Sequence, residues 1–142
     1  MAILKADNYT KQENPTSDNI VSPGTLGGRV RVLVDEITLA AAQIADVIKF
    51  GKDLQDGAII LGIEVNNAAL GGASTMNIGD ADTEDRYMAA IDLNTASVKR
   101  DLAQAGDGYK IGTNDGDNTI QGVIAGAAAT GLLKIKIFYT ED

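Results

Sequence analysis

The stretch Gly79-Asp80-Ala81-Asp82-Thr83-Glu84-Asp85 places four carboxylates within six residues. Aspartates at alternate positions are how calcium loops begin, because a hard cation collects several carboxylate oxygens. Here the pattern breaks twice. Counted from Asp80, the sixth position is Asp85 where an EF-hand needs glycine, and the twelfth is Ile91 where it needs glutamate. A solvated acidic turn between two strands explains the cluster as well, with Arg86 offsetting part of its charge. Asn114-Asp115-Gly116-Asp117-Asn118 is a second oxygen-rich loop. Its Asp-Gly pair already accounts for it, since tight turns need a residue tolerant of positive φ. Gly106-Asp107-Gly108-Tyr109-Lys110-Ile111-Gly112 misses the dinucleotide spacing by one residue, and no phosphate-loop motif occurs.

Composition removes most other chemistry. The chain has no Cys, no His and no Trp. Disulfides, thiolate or imidazole zinc sites, and Ser–His–Asp or Cys–His pairs are all excluded. Acid–base work would fall to a carboxylate, Lys or Tyr. Twenty acidic residues against 12 basic ones leave a net charge of −8, which disfavours a polyanion partner. These facts point away from an enzyme and from a nucleic-acid binder. No apolar run reaches the ~18 residues of a membrane span. The opening Met1–Asp7 is too short and polar for a signal sequence, so the chain reads as made and used without export.

The elements follow from periodicity. One domain is expected for 142 residues. Residues 1–27 show no sustained period and hold both prolines, Pro15 and Pro23. They read as an extended arm before a domain spanning 28–142. The arm's sparse apolar residues Leu4, Tyr9, Ile20, Val21 and Leu26 are candidate partner-binding anchors.

From Arg29 onward the pattern is strand-like. Val30, Val32 and Val34 alternate with Arg29, Arg31 and Leu33. Further runs are Ile44–Phe50, Ala58–Val65, Ser74–Ile78, Tyr87–Leu93, a short Lys110–Ile111, Thr119–Ala125 and Leu132–Tyr139. The last alternates Leu133, Ile135, Ile137 and Tyr139 against Lys134, Lys136 and Phe138. About eight short strands with regular turn signals predict an antiparallel β-sandwich, jelly roll or small barrel. Thr95–Ala105 is the one serious helix candidate, with Asn94 as cap and Gly106 as stop. Arg29 and Arg31 on the first strand, with Lys134 and Lys136 on the last, would form a basic patch for an acidic partner if the two strands meet. The alternative is a plain solvent face.

The segments GGRVRVLVDEITLAAAQIADVIKFG, DGAIILGIEVNNAALGGASTMNIGDADTEDRYMAAIDL, GYKIGTNDGDNTIQGVIAGAAATG and LLKIKIFYTED together resemble a family of small structural proteins of tailed bacteriophages. These are capsid decoration (cement) or head-fibre proteins. The resemblance covers about residues 25–142. Its most specific pieces are Gly79-Asp80…Asp85-Arg86-Tyr87 and the Gly126–Gly131 run with the terminal strand. It implies a jelly-roll-like β-sandwich, usually trimeric, on the outer capsid surface, with N-terminal arms clamping neighbouring shell subunits. The implied partners are the major capsid protein and further copies of the chain, with no cofactor, nucleic acid or membrane. The implied location is the virion, after synthesis in the host cytoplasm. The alternative within the virion is a head-fibre base, tail or receptor-contact module. A metal-dependent enzyme built on Asp80–Asp85 is the reading outside it.

Overall fold

The computed structural model of the chain describes residues 29–50, 54–112 and 118–141. Among these described residues eight strands form: β1 (Arg29–Ala42), β2 (Val47–Phe50), β3 (Ile59–Asn67), β4 (Thr75–Gly79), β5 (Met88–Asp92), β6 (Ser97–Asp101), β7 (Ile120–Ala125) and β8 (Ala129–Glu141). They make two four-stranded sheets, ordered β1-β8-β3-β6 and β2-β7-β4-β5. Every pairing is antiparallel. First pairs with last, second with seventh, third with sixth and fourth with fifth. That nested order is a chain doubled on itself and rolled into two sheets, the jelly roll. The arm expected over residues 1–27 lies outside the described residues.

The core lies between the sheets and is aliphatic. Ile60, Ile63 and Val65 from β3 meet Met76 and Ile78 from β4, Ile120 and Ile124 from β7, and Leu133, Ile135 and Ile137 from β8. Each set follows the two-residue period that sends alternate side chains to one face, except that the β3 bulge between Ile60 and Gly62 adds one residue between Ile60 and Ile63. Phe50 and Tyr87 are the buried rings. Phe50 and Met76 crowd β7 so closely that a Cβ at Gly122 would stand 2.7 Å from the Met76 sulfur. Any larger residue there would push aside the side chains of the two strands that flank β7 in its own sheet.

Two expected elements change. Ser97–Asp101, within the proposed helix Thr95–Ala105, is strand β6. The capping and composition of that segment do not oppose a helix. What decides is pairing with β3 and a buried amide that fixes the strand's entry. Asn67 Nδ2 donates to the carbonyls of Ala68 (2.7 Å) and Thr95 (3.0 Å), and Ser97 Oγ donates to Asn67 Oδ1 (3.2 Å). Lys110–Ile111, in turn, contributes only an isolated bridge from Lys110 to Ile59.

The first strand also turns the opposite way from a simple apolar-in reading. Val30, Val32 and Val34 are exposed, while Leu39 is buried and Leu33 packs against the core. The inward row of β1 is therefore the one holding Leu33 and Leu39. Truncating Ile63, which has no exposed surface, is expected to cost about 2–5 kcal/mol. Urea denaturation of Ile63→Ala checks it: the midpoint falls while the slope is retained.

Candidate interaction surfaces

The outer face of the β1-β8-β3-β6 sheet collects the exposed apolar side chains. Registry sets Val34 beside Lys136, Lys136 beside Glu64, and Glu64 beside Arg100, one line across four strands. A second line runs Glu36, Lys134, Asn66, Val98. Val30, Val32, Val34, Leu132 and Val98 project on this face, and Leu61 is exposed at the β3 bulge. Those six are most of the nine large apolar side chains exposed among the described residues. Such clustering marks contact surfaces. A shallow depression of about 530 Å³ runs between Val34, Glu36, Glu64, Asn66, Lys134 and Lys136.

Charge on this face is nearly balanced. Arg100 Nη2 reaches Glu64 Oε2 at 2.6 Å, and Lys136 Nζ reaches Glu64 Oε1 at 3.3 Å. Lys134 Nζ lies 3.9 Å from Glu36 Oε2. The Arg100 guanidinium also stands over the Phe138 ring, 4.8 Å from its centroid. Gly62, opposite Phe138 on β3, has no side chain to stand between them. The Arg100 hydrogen bond, then that of Lys136, holds the Glu64 pKa below its ordinary value.

The basic patch expected from Arg29, Arg31, Lys134 and Lys136 does not form. β1 and β8 do pair, but Arg31 lies opposite Tyr139 and Val34 opposite Lys136. The arginines and lysines therefore project on opposite faces of one sheet. Arg31 is already engaged, its Nε 2.6 Å from Glu141 Oε1. Leu4, Tyr9, Ile20, Val21 and Leu26 lie outside the described residues, as do residues 113–117 of the second oxygen-rich loop. Asn118 at that loop's end braces the neighbouring turn, donating to the Leu54 carbonyl (2.9 Å) and Asp56 Oδ1 (2.6 Å).

The acidic cluster is built around a buried clamp. Asp80 is 3% exposed. Its Oδ1 accepts the backbone N–H of Asp82 (3.0 Å) and of Thr83 (2.8 Å). Its Oδ2 accepts from Arg86 Nε. Arg86 Nη2 also donates to Thr83 Oγ1 at 3.2 Å, and the guanidinium covers Tyr109 at 3.8 Å. Burial alone would lower the Arg86 pKa. The hydrogen bond and charge of Asp80 outweigh that and hold it above its ordinary value. A Cβ at Gly79 would fall 2.0 Å from the Thr83 carbonyl oxygen, so glycine is required for the turn to close. Both Asp80 oxygens thus serve the loop.

Sequence reasoning missed the outward direction of the valine row, the Arg100–Phe138 contact and the burial of Asp80 in its pairing with Arg86. The first had a signal. β1 carries apolar residues on both of its faces, which is the pattern of a strand covered on both sides.

No family model matches the chain, and no curated protein matches it in sequence. Solved structures do. A chain of the cyanophage Pam1 capsid asymmetric unit shares the fold with a TM-score of 0.67 and 22% identity, over 91% of this chain and 99% of that one. A chain of the capsid of Ralstonia phage GP4 does so at 0.60 and 20%, over 81% and 86%. A chain of the acid-stable capsid of Helicobacter pylori bacteriophage KHP30 follows at 0.50 and 12%, over 79% and 87%. The fold defines the class: an eight-stranded jelly roll of the kind that occurs in phage capsids.

Three measurements test these sites. Asp80→Ala strands the largely buried Arg86 charge and is expected to destabilise by about 3 kcal/mol in urea, while millimolar calcium leaves the wild-type melting midpoint unchanged. Carbon-detected NMR titration should find the Glu64 carboxyl ionising below the ordinary glutamate value. Its lowered pKa means that the contact with Arg100 is complete above the ordinary glutamate range and is lost as pH falls through the folded value. Arg100→Ala moves the Glu64 titration back up.

Proposed function

We propose that the chain is a structural virion protein, a decoration protein that seats on the outer surface of a phage head and reinforces it by bridging shell subunits. The observation that carries this reading is the size of the matched capsid chain. The likeness takes in 91% of this chain and 99% of the cyanophage one, so the neighbour is a small capsid component of about this size. The chemistry agrees. Asp80 is committed to Arg86 and to its own loop, which leaves no support for metal-dependent catalysis there. A chain of net charge −8 repels packaged nucleic acid and suits an exterior position.

The mechanism is bridging. The partners are the major capsid protein and two further copies of this chain, in a trimer. Residues 1–27 reach neighbouring shell subunits, with Leu4, Tyr9, Ile20, Val21 and Leu26 as anchors. Three arms on one trimer add up as a multivalent attachment, so individually weak contacts hold firmly. Outward pressure from packaged DNA must then break these contacts as well as those of the shell. A receptor-contact role has less behind it. Of the domain's tyrosines, Tyr87 is fully buried and Tyr109 is covered by Arg86, so few rings remain for stacking on a sugar.

Quantitative mass spectrometry of purified particles should give a ratio to the major shell protein near stoichiometric. A handful of copies per particle would move the reading to a fibre or tail role, and absence would end the virion reading. Deleting residues 1–24 should abolish binding to undecorated heads and leave the melting transition of the β-domain in place.

A further inference from the structure

Four strands border the two sheets: β1 and β6 on one, β2 and β5 on the other. β2 has four residues, and β5 and β6 have five each. β1 has 14. A long edge presents a row of backbone N–H and C=O groups that a further strand can take up. The register of β1 against β8 runs unbroken from Arg29 to Leu39, and the bulge lies beyond, between Leu39 and Ala42. Among the described residues only β8 pairs with β1. The stretch best suited to pairing also carries Val30, Val32 and Val34, at 61%, 48% and 67% exposure.

The same stretch is complementary to itself. Two copies joined antiparallel about a two-fold axis pair residues whose numbers have a constant sum, and like faces must meet. With the axis at Val32, Val30 stands opposite Val34 of the second copy, and Val32 opposite Val32. On the other face Arg29 stands opposite Asp35 of the second copy, twice over by symmetry. Apolar meets apolar on one side; on the other, two Arg29–Asp35 pairs flank Arg31 opposite Leu33 of the second copy, and it is the apolar and opposite-charge pairs that favour cross-strand neighbours. Whole chains at −8 repel one another. The segment Arg29–Glu36 balances two arginines against Asp35 and Glu36, so copies can approach there without that penalty.

We propose that β1 is a contact between copies of this chain: two molecules join their β1 edges antiparallel about Val32, merging two four-stranded sheets into one of eight. This is a property of the isolated chain and does not depend on the virion reading. It is a two-fold contact, separate from the three-fold association above, and both can hold at once if the paired copies belong to neighbouring trimers.

The absence of cysteine makes the test clean. Opposed Cα atoms in an antiparallel pair lie about 4.5–5.5 Å apart, within the reach of a disulfide. Full-length Val32→Cys, oxidised with copper–phenanthroline at micromolar concentration, should convert to a covalent dimer. Val98→Cys, 61% exposed on the opposite edge, should remain single. Sedimentation of the wild type should show a mass rising with concentration by a doubling step, and Val32→Lys should remove that step with an unchanged melting transition. Equal cross-linking of the two cysteine variants overturns the proposal. So does a wild type that stays monomeric or purely trimeric with no Val32→Cys dimer. Exchange protection, in a monomer, of the Val30–Asp35 amides that point away from β8 also overturns it, because the chain's own N-terminal segment would then cover the edge.

Discussion

The sandwich cannot close until its last strand is in place. β8 sits between β1 and β3, so residues near the end of the chain hold together strands that start at Arg29 and Ile59. Its inward row of Leu133, Ile135 and Ile137 completes the core. Its outward row of Lys134, Lys136 and Phe138 completes the outer face. Losing β8 would leave β1 with no neighbour among the described residues and open one edge of β3. Nested pairing of this kind is non-local throughout, and chain closure must come before most of the burial that rewards it.

That constraint explains how surface features are shared out. Lys136 and Arg100 lie far apart in sequence and converge on Glu64 only because β8 and β6 flank β3. The result is a sheet face with balanced charge and exposed valines on a chain of marked negative charge. The acidic residues are handled differently at the 79–86 turn. There Asp80, the one deeply buried carboxylate among the described residues, is neutralised by Arg86 and closes a loop. Such a pair specifies local geometry more than it adds stability, since desolvation offsets much of its attraction.

On the proposed reading the protein works through contact area and repetition. The arm, the mixed sheet face and the long β1 edge would each supply a modest interaction for an assembly to multiply. None of the three needs a preorganised cavity. The lack of His, Cys and Trp is therefore no handicap, and an aliphatic core of two sheets serves as a rigid mount.

Much of this fold is legible in the residues. Alternation in LLKIKIFY assigns β8 and its inward face. The β-branched run Ile59–Val65 assigns β3, and the Gly and Asp-Gly punctuation marks most strand ends. These signals are local, and a period of two shows itself wherever one face is buried. The exclusion of most catalytic chemistry needs only residue types. Other features had no local signal. Ser97–Asp101 becomes a strand because β3 has an open side and Asn67 fixes the approach. Arg29 and Arg31 part from Lys134 and Lys136 because register sends them to opposite faces. The valines of β1 face outward because the inner layer takes Leu33 and Leu39 instead. Each of these depends on which strand lies beside which, a choice made by packing among residues distant in the chain.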